Sequence, residues 1–393
     1  MPHDLFPPTE MKRHSQRIPK SVLMYTTPDE YRLDLLTKAL LTRRKRRALQ
    51  KLKGDSAQSM IDLLHWVRRR YIAAPHVSLT LFQLKALLPP TSLTPRVRDH
   101  CRIILIKLCV THLIFPRCFG LDDVERHGSI PVAGGGFSDI FGAAFKQQTA
   151  CLKIARSSAG SDHLKLNKAL IKEGILWGQL QHPNITPIYG IYSVDSLAPR
   201  MSLVLPWMEN GDLTSFLINN PRTPRMPLTC DIVRGLSYLH DENIIHGDLK
   251  GANILVNDSC EAFLADFGLS SVLSDTASVT AEVRNIGPGC SYRWLAPEFL
   301  NKPGRRSKAG DVWALGGVLY EIFTRRLPFH ECRENGQVIH KLMGGERPTR
   351  PQRDASDLDN IPDDMWALMI HQIWDLNPTG RPACDHILRS LKY

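Results

Sequence analysis

The chain has 393 residues, 43% hydrophobic and 23% charged; the composition is that of a globular protein and the length exceeds one ordinary domain. No apolar stretch reaches the about 18 to 20 residues that cross a bilayer, and the N-terminus lacks a secretory-signal layout, so we expect neither a membrane-spanning nor a secreted protein. The nine cysteines include no Cys-x-x-Cys pair, which indicates reduced thiols in an intracellular protein.

The formal charge of +11 is unevenly distributed along the chain. Residues 1–125 hold 22 Lys and Arg against 11 Asp and Glu, whereas residues 126–393 hold 28 of each. The basic excess therefore lies in the first third of the chain, which predicts a domain boundary near residue 125.

Helical patterns dominate the first third after a polar start. Residues 1–26 lack periodicity, which predicts a disordered tail. Thr27-Pro28-Asp29-Glu30 has the composition of a capped helix start, and Gly54 is the predicted end of that helix. A second helical pattern covers about 58–71. We therefore predict a small all-α unit of three or four helices over residues 27–118.

The third helical pattern of this unit opens at Pro95 and stops at Pro116. Four residues in or beside it have side chains of the kinds that bind zinc: Cys101, Cys109, His112 and Cys118. Their spacing matches no zinc ribbon or zinc finger, which favours packing of the cysteines in a helical core.

A run of five basic residues, Arg43-Arg44-Lys45-Arg46-Arg47, lies within the first predicted helix. Such runs are usually solvated helix faces; the alternatives are a nuclear-import signal and a contact with nucleic acid or acidic membrane. Few aromatic residues accompany the run, which argues against a single-stranded nucleic-acid partner. We expect the helical unit to dock on the rest of the chain or to recruit a regulatory partner.

After residue 125 the pattern changes to short β-branched and aromatic runs separated by glycine. Five strands of one antiparallel sheet are predicted at about 128–133, 138–146, 149–155, 187–194 and 201–206. A helix near 164–180 lies between the third and fourth strands, and helices dominate after residue 210. This order predicts an α+β fold of two lobes.

Three motifs in the helical part contain residues with reactive side chains. They are His246-Gly247-Asp248-Leu249-Lys250-Gly251-Ala252-Asn253, Asp266-Phe267-Gly268 and Ala296-Pro297-Glu298. They place a carboxylate, an ammonium group, an amide and a second carboxylate in a fixed order within about fifty residues. A protein needs this set to orient a hydroxyl, hold magnesium and transfer a phosphoryl group.

The strand region contributes two further features. Backbone amides of a glycine-rich turn can close over phosphates, and the turn is Ala133-Gly134-Gly135-Gly136-Phe137-Ser138-Asp139-Ile140. Lys153 ends Ala150-Cys151-Leu152-Lys153, and Glu173 follows 20 residues later on the predicted helix. A glycine-rich turn alone is equally compatible with a plain hairpin, and exposed lysines and glutamates are common. The order relative to the later motifs favours the functional interpretation.

These motifs resemble the catalytic core of eukaryotic-type protein kinases, over roughly residues 127–393. The resemblance implies a bilobal kinase fold with an N-lobe at 127–205, a hinge at 206–209 and a C-lobe at 210–393. The N-lobe is expected to hold the five-stranded sheet and one helix, and the C-lobe to be mainly helical. The implied activity is phosphorylation of a protein substrate, with ATP and Mg²⁺ as cofactors.

The resemblance implies roles for single residues of the helical part. Asp248 is the implied catalytic base, and Lys250 neutralises the γ-phosphate. Asn253 and Asp266 are the implied magnesium ligands, since magnesium prefers hard oxygen donors.

The resemblance also implies a nucleotide site. Lys153, held by Glu173, would bind the α- and β-phosphates of ATP. The other implied nucleotide contacts are the turn residues Ala133, Gly134, Gly135, Gly136, Phe137 and Ser138, then Ile140 and Cys151 above the adenine, Leu255 below it, Leu205 at its rear, Pro206, Trp207 and Met208 along its edge, and Asp212 at the ribose.

The sequence departs from the family pattern at three positions. The first and third glycines of the loop become Ala133 and Ser138, and the arginine that usually precedes the catalytic aspartate is Gly247. That arginine normally pairs with a phosphorylated residue, so its absence predicts switching that does not depend on such a pair. The departures leave an alternative open, namely a catalytically impaired, pseudokinase-like scaffold that binds nucleotide or protein.

The substrate class has signals of two kinds. Lys250 and Ser291 resemble serine/threonine kinases, whereas Arg293-Trp294-Leu295-Ala296-Pro297-Glu298 resembles the tyrosine-kinase-like group, which has features of both classes. We expect serine/threonine specificity, with dual or tyrosine activity left open. A role in intracellular signalling is expected, in the cytoplasm or, through residues 43–47, in the nucleus.

Two structural contacts are implied in the C-lobe. Glu298 should pair with Arg381, and Asp311 should hold the backbone of the catalytic loop. A buried ion pair of this kind is expensive to break, because one charge is then left without its partner.

Overall fold

A computed structural model describes residues 36, 38–72, 95–134, 138–156, 163–194, 200–267, 271–272, 291–301, 306–352 and 359–391. These residues form two compact units. The first contains the described residues before His182 together with Pro187–Leu205. The second contains His182–Thr186 and the described residues from Pro206 onward. The helical segment and the predicted strands thus share one unit, and their division into separate domains stays a prediction.

The helical segment of the first unit contains α1 (Arg43–Leu49), α2 (Gly54–Ile72) and α3 (Pro95–His112). The predicted helix end at Gly54 is wrong, because Gly54 begins α2. An extended backbone at Thr42 separates α1 from the helical residues before it. Helix α2 packs against α3, with Ile61 and Leu64 fully buried. The predicted capping box at 27–30 and the tail at 1–26 lie outside the described residues.

The sheet of the first unit contains β1 (Gly120–Leu121), β2 (Val124–His127), β3 (Ala133–Gly134), β4 (Ser138–Phe145), β5 (Gln148–Ala155), β6 (Gly190–Ser193) and β7 (Met201–Pro206). Its order is β1-β6-β7-β5-β4-β2, and β3 also pairs with β4. Helix α4 (His163–Trp177) lies between β5 and β6 in the sequence and contacts both strands.

The sheet differs from the predicted five antiparallel strands in two details. The segment predicted as one strand at 128–133 is split, with β2 before it and β3 at its end. Gly128 has a φ of +72° and Pro131 has no N–H, so the chain leaves the ladder after β2 and rejoins it at β3. The second difference is β1, an extra strand that pairs parallel with β6.

The second unit is mainly helical. Its helices are α5 (Leu213–Asn219), α6 (Arg225–Asp241), α7 (Glu298–Asn301), α8 (Lys308–Thr324), α9 (Asn335–Met343), α10 (Asp363–Leu368) and α11 (Cys384–Ser390). Its strands are β8 (Ile244–Ile245), β9 (Ile254–Val256), β10 (Ala262–Leu264) and β11 (Ser271–Val272). Strand β9 pairs with β10, and β8 pairs with β11.

Helix α8 is the centre of this unit. Every residue from Gly310 to Thr324 is buried, which is the pattern of a core helix and not of an amphipathic surface helix. The Ser307 side chain caps its first turn by accepting from the Gly310 N–H. Within the described ranges, no helix is long and apolar enough to span a membrane.

Candidate active site

The predicted contact between Lys153 and Glu173 is present in the first unit. Lys153 Nζ donates to Glu173 Oε1 at 2.7 Å, and the two side chains are 10% and 11% exposed. Strand β5 holds Lys153 rigidly, because it is paired with β4 along its length. Glu173 projects from α4. Since water screens this pair little, the carboxylate can hold the flexible lysine in one place.

The glycine-rich turn is described only at its two ends. Ala133 and Gly134 form β3, are exposed, and pair with Ile140 and Asp139 of β4. Ser138 begins β4 opposite Ala155. Residues 135–137, the remaining predicted loop residues Gly135, Gly136 and Phe137, lie outside the described residues.

Apolar residues flank Lys153 on β5 and its neighbours. Cys151 is buried, and desolvation raises the pKa of its thiol to about 12, so the thiol stays neutral. Ile140 is half-buried and lies opposite Lys153 in the ladder. Leu205 is buried at the end of β7. Val132, next to β3, is 57% exposed although apolar, and its N–H donates to the Ile140 carbonyl.

In the second unit the residues predicted to form the catalytic loop lie in one hydrogen-bonded cluster. Lys250 Nζ donates to Asp248 Oδ2 at 2.9 Å and to Ser291 Oγ at 2.8 Å. The Asn253 amide nitrogen donates to the Asp248 carbonyl at 2.7 Å and to Asp248 Oδ2 at 2.9 Å. Asp248 is therefore held from two sides while 18% of its side chain stays exposed. A carboxylate fixed in this way can accept a proton from a bound hydroxyl.

The backbone of this loop is fixed by the buried carboxylate of Asp311, as predicted. Its two oxygens accept the N–H groups of His246 and Gly247, both at 2.9 Å. His240 Nε2 lies 3.0 Å from the same carboxylate. Asp311 is 2% exposed and belongs to α8, so the central helix of the unit sets the position of the loop.

Asp266 lies two residues after the end of β10. Its φ of +60° is uncommon for a residue with a side chain. The segment is anchored on the loop around Asp248, because His246 Nε2 lies 3.1 Å from the Ala265 carbonyl and the centroids of the His246 and buried Phe267 rings are 5.4 Å apart. The motifs around Asp248 and Asp266 are thus joined through His246.

The other predicted nucleotide residues of this unit lie around β9. Leu255 is half-buried on β9 and forms a bridge with Asp212. The segment Pro206-Trp207-Met208 is also half-buried. Asp212 caps α5, since Oδ1 accepts from the Ser215 N–H at 3.0 Å and Oδ2 accepts from the Ser215 hydroxyl at 2.7 Å. A role of Asp212 at a ribose would have to be shared with this cap.

A buried carboxylate that the sequence analysis missed fixes the loop after Asp248 by hydrogen bonds. Glu321, 2% exposed, accepts from the Gly251 N–H at 2.9 Å, from Trp294 Nε1 at 2.7 Å and from the Thr214 hydroxyl at 3.1 Å. Burial raises its pKa to about 7, against these hydrogen bonds, which lower it. The available signal was a single acidic residue in the apolar run after Asp311.

The predicted pair of Glu298 and Arg381 is confirmed. The guanidinium makes two parallel contacts, Nη1 to Oε1 at 2.7 Å and Nη2 to Oε2 at 2.8 Å. The Arg381 side chain is fully buried, and its guanidinium lies over the Trp313 ring. This pair joins α7 to the chain before α11.

A small open cavity in the second unit is lined by Gly247, Asp248 and Leu249 of the loop and by residues of α8. Ser291 and Arg306 contribute polar groups to its lining, and Trp294 and Phe299 contribute aromatic surface. The lining therefore combines polar groups with apolar and aromatic surface next to the Asp248 carboxylate.

The cysteines of the helical segment behave as packing residues where they belong to a helix. Cys101 and Cys109 are buried in α3. Desolvation raises the pKa of the Cys109 thiol. Cys118, in contrast, is exposed in the turn after α3.

Comparison with known proteins gives a consistent result. The family model described as protein tyrosine and serine/threonine kinase matches residues 130–391. Serine/threonine-protein kinase STY46 of Arabidopsis thaliana is 28% identical over 66% of this chain and 43% of its own length. Probable serine/threonine-protein kinase drkD of Dictyostelium discoideum is 33% identical over 65% of this chain and 19% of its own length.

Serine/threonine/tyrosine-protein kinase HT1 of Arabidopsis thaliana is 29% identical over 66% of this chain and 64% of its own length. The chain thus spans less than two thirds of the length of these three relatives. The family model covers more than half of the chain. Its range includes the Lys153–Glu173 pair of the first unit and the hydrogen-bonded cluster around Asp248 in the second. The chain belongs to the protein tyrosine and serine/threonine kinase family, and its kinase domain has the α+β bilobal fold of that family.

Proposed function

We propose that this chain is an active protein kinase that transfers the γ-phosphoryl group of ATP to serine and threonine hydroxyls of protein substrates. One observation carries the proposal: Asp248, Lys250, Asn253 and Ser291 form a single hydrogen-bonded cluster with a partly exposed carboxylate. Asp248 is the proposed base for the substrate hydroxyl, and Lys250 the proposed partner of the transferred phosphoryl group.

The nucleotide is proposed to be ATP with Mg²⁺. Lys153, held by Glu173, is the proposed contact to the phosphates, with Ile140, Cys151 and Leu255 as apolar contacts for the adenine. The exposed Val132 joins this set. The proposed nucleotide contacts also include the loop Ala133, Gly134, Gly135, Gly136, Phe137 and Ser138, the residues Leu205, Pro206, Trp207 and Met208, and Asp212.

Asn253 and Asp266 fit magnesium by their donor chemistry. The Asn253 amide nitrogen points to Asp248, so its carbonyl oxygen faces the other way and is oriented as a hard ligand. Asp266 offers a carboxylate. When bound, the metal would neutralise charge on the phosphates. The chain's own contribution is to orient the Asn253 oxygen and to hold Asp248, the proposed acceptor of the substrate proton, in place.

Serine/threonine preference rests on the Lys250 contact with Ser291 and on the cavity beside Asp248. A serine or threonine side chain is short, so its hydroxyl reaches the base only if the peptide backbone passes close to Asp248, at the mouth of this small cavity. The contacts of Lys153 with Glu173 and of Asp248 with Lys250 and Asn253 support an active kinase over the alternative scaffold function.

The test is phosphorylation of a degenerate peptide library by the full chain with MgATP, followed by phosphoamino-acid analysis. Asp248→Asn keeps an acceptor for Lys250 but cannot take up the proton, and a fall of about 10² to 10⁴ in kcat is expected. Asp258→Asn changes an exposed carboxylate of the same unit and should leave turnover unchanged. Wild-type turnover as low as that of Asp248→Asn would favour the scaffold, and phosphotyrosine as the main product would refute the substrate class.

The helical segment is proposed to recruit a regulatory partner through α1. The basic side chains of α1 are mostly exposed, and burial together with the charges of Arg96 and Arg43 lowers the pKa of Arg46. We propose an intracellular, cytoplasmic location, with nuclear import through residues 43–47 as the alternative. Imaging of a tagged chain with Arg44, Lys45 and Arg47 changed to Ala separates the two.

A further inference from the structure

The segment that precedes the kinase domain is built into the first unit. Helix α2 packs on α3, and α3 packs on α4, the helix that carries Glu173. The chain then turns at Arg117–Phe119 and enters β1, which pairs with β6. The same segment therefore contacts the helix that carries Glu173 and the sheet that carries Lys153.

Helix α3 is a core element and not a surface helix. Its four consecutive residues Ile103 to Ile106 are at most 5% exposed, and Leu108 and Cys109 are fully buried. Successive residues of an α-helix point about 100° apart, so four buried in a row cover its whole circumference. A helix that is buried on all sides is part of a core. Movement of α3 would therefore disturb the packing of α4.

Phe119 is the point where this segment meets the end of α4. The residue is 2% exposed, and its ring lies 5.9 Å from the His65 ring of α2. The Phe119 ring also lies against Gly178, directly after α4; a Cβ at Gly178 would be 2.5 Å from Phe119 Cζ. The Phe119 carbonyl lies against Gly190 at the start of β6. One residue thus contacts α2, the end of α4 and the sheet.

The position of the α4 end determines the position of Glu173. Gly178 follows Glu173 by little more than one helical turn of about 3.6 residues. Gly174, next to Glu173, packs on Leu203 and Ile191 of the sheet. A shift of the helix by about 1 Å would stretch the 2.7 Å contact to Lys153 beyond hydrogen-bond distance.

We propose that α2, α3 and β1 form a positioning element of the kinase site, with Phe119 as the residue that sets Glu173 against Lys153. The proposal deepens the proposed function, and its effect on turnover rests on that function. Phe119 acts through α4 and is a positioning residue, not a catalytic one.

The experiment uses the full chain and two readouts on Phe119→Ala, Phe119→Leu and Glu173→Gln. The first readout is the rate at which a small amine-reactive ester acylates Lys153, measured on its peptide by mass spectrometry; it requires no turnover. The second is the separate determination of kcat and KM for ATP. Circular dichroism and the melting temperature report whether each variant is folded.

We expect Lys153 in Phe119→Ala to be acylated several-fold faster, approaching the rate in Glu173→Gln, because an amine released from its carboxylate loses its proton and its cover more readily. The KM for ATP should rise and kcat/KM should fall by up to about 10²-fold, the typical cost of a misplacement of 1 Å. Phe119→Leu keeps an apolar side chain at this place. It should therefore show an acylation rate and a kcat/KM close to those of the wild type.

A second variant covers the case that Phe119→Ala does not fold. Gly178→Ala places a methyl group against the Phe119 ring, whereas Gly336→Ala adds the same group where nothing lies within 4 Å. Faster acylation of Lys153 in Gly178→Ala, with no change in Gly336→Ala, supports the proposal. A wild-type acylation rate in Gly178→Ala, together with a wild-type rate in Phe119→Ala where that variant folds, overturns it. A wild type without turnover whose Lys153 still responds would contradict the kinase function while supporting the positioning element.

Discussion

Among single residues, Lys250 has two partners of different chemistry. It donates to the carboxylate of Asp248 and to the hydroxyl of Ser291, which lies 41 positions later in the chain. A lysine with one partner can swing on its flexible stem, whereas two partners in different directions restrict it. Ser291 therefore orients the amine that is proposed to meet the transferred phosphoryl group.

Ser291→Ala is expected to lower kcat about tenfold, because a hydrogen bond to a charged group is worth about 1.5–3 kcal/mol. The KM for ATP should change little, since Ser291 is not among the proposed nucleotide contacts. Steady-state kinetics with a peptide substrate measure both constants. Ser259→Ala, at an exposed turn of the same unit, is the matched control, and equal kcat in the two variants would refute the role of Ser291.

The buried carboxyl group of Glu321 makes the stability of the chain depend on pH. It accepts three hydrogen bonds in a fully buried position, and burial raises its pKa from 4.5 to about 7. Between these two values the folded chain retains a proton that the unfolded chain releases. Stability is therefore highest below about pH 4.5 for this group and falls as the pH rises through about 7.

Glu321→Gln should flatten this dependence, because the amide can accept from Gly251 and Trp294 and donate to Thr214 without titrating. Between pH 5 and 7 the wild type should lose about 2 kcal/mol more than the variant. Melting temperatures measured at half-unit pH steps test this. Glu209→Gln, at an exposed position, is the control and should leave the pH dependence of the melting temperature unchanged. If the melting temperature of Glu321→Gln falls with pH as steeply as that of the wild type, the assignment to Glu321 is wrong.

At the scale of elements, the second unit is organised by contacts to its central helix. Helix α8 supplies Asp311 to the loop before Asp248 and Glu321 to the loop after it. The pair of Arg381 and Glu298 adds a second connection, from the chain before α11 to α7. A surface ion pair contributes little, but here the guanidinium is fully buried, makes two contacts with Glu298 and donates to the carbonyls of Asp375 and Ala309.

Arg381→Leu should therefore cost about 3–5 kcal/mol of unfolding free energy, because Glu298 is left without its partner in a partly buried place. Urea denaturation of the full chain measures this cost. Arg234→Leu removes a guanidinium that is 50% exposed and lies 3.4 Å from Asp231, and should cost at most about 1 kcal/mol. Similar costs for both variants would show that the Arg381 pair is not a major connection.

At the scale of the whole molecule, the described chain forms two compact units, and the helical segment belongs to the first. The segment is connected to the sheet by a strand and to α4 by a buried helix. Elements that share one core are expected to open together, because each loses its packing when the other leaves.

Leu105→Ala in α3 should lower the stability of the first unit by about 2–5 kcal/mol, since Leu105 is fully buried. Hydrogen exchange followed by mass spectrometry should show faster exchange in residues 138–155 of the sheet together with α3. Leu41→Ala, at a position 51% exposed, should change neither. Faster exchange confined to α3 would show that the helical segment opens on its own.

Much of the site followed from the sequence because its groups are close along the chain. Asp248, Lys250 and Asn253 lie within six positions, so a single loop conformation brings them together. The family resemblance added the pairs Lys153 with Glu173 and Glu298 with Arg381, both present in the structure. The first strand was misplaced, because the irregular backbone around Gly128 and Pro131 has no pattern of period two.

The sequence by itself determined the α+β class, the order of motifs and the identity of the polar groups, since these depend on residue type and local spacing. Only the tertiary structure decided that Glu321 supports the loop 70 positions before it, and that Phe119 lies against the end of α4. The pairing of β1 with β6 was likewise decided only by the tertiary structure. Such contacts join residues far apart in the chain, and which surfaces meet is decided by how the apolar faces pack, not by any local pattern.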